Sequence, residues 1–149
     1  MSCQTLQQQA KQFRETFNQE TLDNISRYGF IKQRLWDMQV SLIKEEVVEF
    51  VEAAGESFAD PESQERRLEL IKELSDVVFV CYQFAAAFNL DLDRAMALVY
   101  ESNLSKLDEQ GKPIFREDGK VLKGPNYTPP NLEECIPEVQ LNYYDTHGK

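Results

Sequence analysis

The sequence predicts an all-α fold, a helical bundle of four main helices with a small C-terminal β-hairpin. Three observations point there. Apolar residues recur at spacings of three and four through most of the first 107 positions. Glycine and proline are scarce, and every proline except Pro61 lies at or beyond Pro113. Past residue 107 the texture changes to short extended runs around Asp118-Gly119, a strong hairpin signal.

Each element follows from its own pattern. Residues 4–18 are rich in helix formers, with Leu6, Ala10, Phe13 and Phe17 on one stripe. Residues 33–57 read as the first long helix, with Leu35, Met38, Leu42 and Ala53 in register. The break AGESFADPES carries Gly55 and Asp60-Pro61, a stop followed by a start. Residues 62–89 form the third helix, ending at Asn89, and Asp91 is placed to cap a fourth running to about residue 107. The runs PIFRE and KVLK then form the hairpin. One domain is expected over residues 1–132, with an irregular tail over 133–149.

Composition narrows the function. The 149 residues suffice for a hydrophobic core without staples. The net charge of -10 argues against binding along a nucleic-acid backbone, which needs a basic footprint. A small anionic substrate stays open, because a bound divalent cation inverts the local sign. Three cysteines, Cys3, Cys81 and Cys135, show no CxxC spacing and no disulfide framework, and Cys81 sits in an apolar run. MSCQTLQQQAKQF has no apolar signal core, and no run approaches the length of a membrane span. A cytoplasmic protein is expected, with no membrane partner.

Two acidic motifs carry the chemistry. KEEVVEF, residues 44–50, and KELSD, residues 72–76, place carboxylates inside otherwise apolar helices. Glu46 and Glu49 are three apart, as are Glu73 and Asp76, so each helix shows a carboxylate pair on one face. Leu42, Glu46, Glu49 and Ala53 share one stripe, and Leu70, Glu73, Val77 and Val80 share another. Antiparallel pairing across the short break would bring the pairs together. Clustered, partly buried carboxylates must be protonated or neutralised by a cation. Oxygen-only ligands that also serve phosphates suit Mg²⁺, with Mn²⁺ as the alternative. The competing reading is a solvated acidic face, the usual fate of glutamate runs.

The pattern EExxE…ExxD, with 23 residues between Glu49 and Glu73, resembles the all-α nucleoside triphosphate pyrophosphohydrolase superfamily. That group includes the MazG-like proteins, the dimeric dUTPases and phosphoribosyl-ATP pyrophosphohydrolase. ESNLSKL and GKVLKGPNYTPPNL are similar to the phage and bacterial MazG-like branch, so the resemblance spans roughly residues 30–132. It implies hydrolysis of an NTP or dNTP to the monophosphate and pyrophosphate with Mg²⁺. It implies Glu46, Glu49, Glu73 and Asp76 as metal ligands, Glu45 or Glu46 as the catalytic base, and a homodimer or homotetramer.

Asn103 and Lys106 resemble the family's phosphate-contact pair, against a plain capping or solvated role. Lys120, Lys123 and Tyr127 belong to a stretch, Glu101 to Pro130, whose five cations balance five acids in an otherwise acidic chain. They are candidates to close over the nucleotide; a solvated edge is the alternative. Trp36 reads as core rather than as a base-stacking residue, and the lone His147 as non-catalytic. Three readings remain at this level: a broad nucleotide pyrophosphohydrolase, a narrower enzyme for dUTP, dCTP or phosphoribosyl-ATP, and a non-enzymatic acidic helical interaction protein. The KGPNYTPPNL segment weighs against phosphoribosyl-ATP.

Overall fold

A computed structural model describes residues 3–22 and 29–137, with residues 29–31 described by backbone alone. Four α-helices form: α1 (Leu6–Thr16), α2 (Gly29–Ala59), α3 (Gln64–Ala87) and α4 (Leu92–Leu104). One short 3₁₀ turn follows, Glu133–Cys135. The expected helices are all present, with ends shifted by up to four residues. His147 and the tail beyond residue 137 lie outside the described residues. The chain divides into two compact units at the Asp93–Arg94 step.

The first unit is built on α2 and α3, which pack along each other. Only residues 60–63 separate them, so they run antiparallel. Ser63 caps α3, its Oγ accepting from the Arg66 amide at 3.3 Å. Three consecutive alanines, Ala85–Ala87, bring the end of α3 close to its neighbours and are almost fully buried. One apolar cluster joins Ala10, Tyr82 and Ala86; another joins Leu35, Ala87 and Phe88. Trp36 lies 5.0 Å from the rings of both Phe84 and Phe88, while about half its surface stays exposed. Asn89 takes a left-handed φ of 55° just past α3, a conformation asparagine tolerates at helix ends.

Helix α1 packs on α3 through a mixed face: Ala10 and Phe13 of the expected stripe meet α3, Ala10 beside Tyr82 and Ala86 and Phe13 edge-on to Phe79 at 5.1 Å. Its capping box pairs Thr5 with Gln8 in both directions. The buried residues are Gln7, Ala10 and Arg14, whereas Leu6 and Phe17, placed on the expected stripe, are exposed. The polar groups explain the rotation. Gln7 donates to the Leu90 carbonyl (3.1 Å) and accepts from the Leu92 amide (3.2 Å), clamping the α3–α4 connection. Arg14 donates to Gln83 Oε1 (3.4 Å) and to the Glu20 carbonyl.

The second unit holds most of α4 and the segment after it. The expected hairpin does not form: among the described residues there is no strand, only an isolated antiparallel bridge between Phe115 and Val121. The chain does reverse, with Gly119 at φ 84° and the Arg116 amide bonded to the Lys120 carbonyl at 2.8 Å. Pro113 removes a ladder donor on one side. On the other, the Gly124 amide bonds instead to the Lys106 carbonyl (2.9 Å), which draws the chain away from pairing. A Cβ on Gly124 would meet the Leu107 carbonyl oxygen at 2.4 Å, so this approach requires glycine.

Candidate active site

The two acidic motifs meet in the first unit. Glu46, Glu49 and Glu73 each offer a carboxylate oxygen, and these lie within 4.8 Å of one another. The flanking stripes are packed as their spacing implies: Ala53 and Val80 are buried, Leu42, Leu70 and Val77 half-buried. They hold α2 and α3 close enough for carboxylates on different helices to converge. Glu73 is only 4% exposed. Buried oxygens on both sides, Glu46 Oε2 and Glu73 Oε2, have no hydrogen-bond partner. Unsatisfied buried carboxylate oxygens are costly, and a cation between them removes the cost.

Electrostatics separates the members. Burial raises the Glu46 carboxyl above the ordinary glutamate range, and Glu49, Asp76 and Glu73 push it further. Glu73 is held below that range, chiefly by its hydrogen bond from Lys72. The Lys72 ammonium lies 2.7 Å from Glu73 Oε1 and 3.2 Å from Asp76 Oδ2. Asp76, half-buried, thus joins the cluster through Lys72 and through its effect on Glu46. Glu69, one turn before Glu73, shares a side-chain hydrogen bond with it and is raised by that contact. Sequence reasoning passed over both Lys72 and Glu69. Their four-residue spacings to Asp76 and Glu73 were the available signal. Glu45 is exposed and stands outside the three-carboxylate cluster.

The substrate-contact candidates belong to the second unit. Lys106 Nζ donates to Asn103 Oδ1 at 2.6 Å, so the two act as one polar group at the end of α4. Lys123 Nζ sits 4.3 Å over the Tyr127 ring. Ser102 and Ser105 both donate to the Thr128 carbonyl (2.7 and 3.3 Å), stitching the loop that carries Tyr127 to α4. Lys120 is exposed on the turn.

An all-helical chain with an ExxE/ExxD carboxylate cluster between two packed helices defines a class: hydrolases of nucleotide phosphoanhydride bonds. Comparison with protein families places this chain in it. The phosphoribosyl-ATP pyrophosphohydrolase family model matches residues 10–103, and the chain belongs to that family, part of the MazG-like all-α NTP pyrophosphohydrolase superfamily. The protein is therefore a pyrophosphohydrolase, which removes the non-enzymatic reading. No curated protein matches the chain individually. Among the described residues, no helix is long and apolar enough to cross a membrane.

Proposed function

We propose that the protein hydrolyses nucleoside or deoxynucleoside triphosphates to the monophosphate and pyrophosphate, consuming one water, in a Mg²⁺-dependent reaction. The observation that carries this reading is the convergence of three carboxylates within 4.8 Å, with two buried oxygens lacking partners. All donors are oxygen, which fits a hard divalent ion, Mg²⁺ or Mn²⁺. Glu46, Glu49, Glu73 and Asp76 would hold it. Such an ion, when bound, neutralises phosphate charge and acidifies water.

The protein's own groups supply the rest. Glu46, at the centre of the carboxylate cluster, is one candidate for the base that takes the proton of the attacking water. Glu45, on the exposed side of α2, is the alternative base. Asn103 and Lys106 bind phosphate oxygens, Lys120 and Lys123 add positive charge, and Tyr127 packs against the nucleotide. The assembly is a homodimer or homotetramer, a reading supported by the apolar side chains left exposed on α2 and α3, among them Val51, Ile71 and Leu74.

A narrower reading, phosphoribosyl-ATP as the substrate, is favoured by the family's name. The KGPNYTPPNL segment, which resembles the MazG-like branch, favours the broader one. A hydrolysis panel of all NTPs, dNTPs and phosphoribosyl-ATP, with Mg²⁺ and with Mn²⁺, decides between them. Glu49→Gln and Asp76→Asn should each lower kcat/KM by about a hundredfold or more with the helical content unchanged. Undiminished pyrophosphate release in both variants would remove the catalytic assignment.

A further inference from the structure

Of the four carboxylates expected to hold the ion, Asp76 is the one that stands outside the converged group. Glu46, Glu49 and Glu73 place oxygens within 4.8 Å of one another. The Asp76 carboxylate is occupied instead. Lys72, one turn earlier on α3, brings its ammonium to 3.2 Å from Asp76 Oδ2 while donating to Glu73 Oε1 at 2.7 Å. On Glu73 that contact leaves the second oxygen, Oε2, buried without a partner. The same ammonium thus holds one acid of the group and one acid beside it.

The Lys72–Asp76 pair is weakly held. Both side chains keep contact with water, at 58% and 38% exposure, and an ion pair four residues apart on a helix at such exposure contributes little. A doubly charged ion attracts the same carboxylate more strongly than an ammonium does. Lysine carries its charge on a flexible four-carbon stem, so the ammonium can change partners while α3 stays in place. An open cleft of about 630 Å³ borders Lys72, which gives the stem room. We propose that Lys72 is a substrate-binding residue: it occupies Asp76 in the metal-free protein and exchanges that carboxylate for a phosphate oxygen of the triphosphate when an ion is bound. Charge supports the exchange. Glu46, Glu49, Glu73 and Asp76, when ionised, outweigh one divalent ion and one ammonium together, so an incoming triphosphate needs every cation at the cluster. Lys106, Lys120 and Lys123 belong to the second unit; Lys72 is a cation that the first unit already holds on the acids themselves.

The inference rests on the pyrophosphohydrolase reading of the acidic site, and the test separates the two. Lys72→Met keeps the stem and removes the charge. In titration calorimetry without nucleotide it should bind Mn²⁺ about threefold or more tighter than the wild type, because Asp76 is released. In saturating Mg²⁺ it should bind inorganic triphosphate about tenfold or more weaker, because a charge-assisted contact is gone. Lys72→Arg should move both values back toward the wild type. In wild-type protein carrying ¹³C-labelled lysine, the Lys72 ε-methylene resonance should move with Mg²⁺ and move again with inorganic triphosphate. The opposite signs exclude a merely structural role, since damage to the helix would weaken both ligands. Tighter Mn²⁺ with unchanged triphosphate affinity would leave the released ammonium on Glu69 and overturn the assignment, as would Mn²⁺ binding that is unchanged or weaker. Both expected changes in a protein whose wild type hydrolyses no triphosphate would instead overturn the activity and keep the exchange.

Discussion

Glu46 and Lys72 show how single side chains hold a site between two states. The fold raises the Glu46 pKa, so its ionised form works against the metal-free protein. That penalty is full above the raised folded value and fades as pH falls, vanishing below the ordinary glutamate value, where the group is protonated folded or unfolded. Metal-free Glu46→Gln should therefore melt above the wild type at about pH 7–8, with the gap closing toward about pH 4. Calorimetric scans across pH check it. Lys72 is the resident cation of the cluster, bonded to Glu73 and Asp76. A divalent ion must compete with it. Lys72→Met should tighten Mn²⁺ binding about threefold or more by titration calorimetry, and Lys72→Arg should restore the wild-type value. Equal affinity in all three proteins would show that the ammonium is not in the ion's way.

Elements were legible in proportion to how far apolar packing positions them. The stripes of α2 and α3 could largely be read, because Leu35, Ala53, Val77 and Val80 face inward where their spacing puts them, although Met38 of the expected α2 stripe is exposed. The carboxylate pairs were read from the same registers. The face of α1 was read only in part: Ala10 and Phe13 meet α3 as their spacing implies, but hydrogen bonds from Gln7 and Arg14 turn the helix so that those two are buried and Leu6 is not. The hairpin failed for a related reason. Asp118-Gly119 sets a reversal, but the run after it is diverted when Gly124 bonds back to Lys106. That contact tolerates no side chain. Gly124→Ala should dislodge the loop that carries Lys123 and Tyr127, raising KM for the nucleotide severalfold while leaving metal affinity intact. An unchanged KM would remove that loop from substrate binding.

At the scale of the whole molecule, exposed apolar residues outnumber what one chain has use for. Ile71, Leu74 and Val78 continue one stripe of α3 at spacings of three and four, and Val47 and Val51 do so on α2. A second copy of the chain is the proposed cover. Val51→Glu should shift the assembly toward monomer in light scattering, and an unshifted mass would exclude this face from the interface.

The sequence by itself determined the helices, their breaks and the carboxylates to examine, because periodicity and acidic spacing are local properties of the chain. Tertiary structure decided what surrounds them. It placed Glu46, Glu49 and Glu73 within reach of one another, put the Lys72 ammonium on the cluster, and bonded Arg14 to Gln83. Those relations depend on burial and on hydrogen bonds between distant segments, and neither leaves a mark on local spacing.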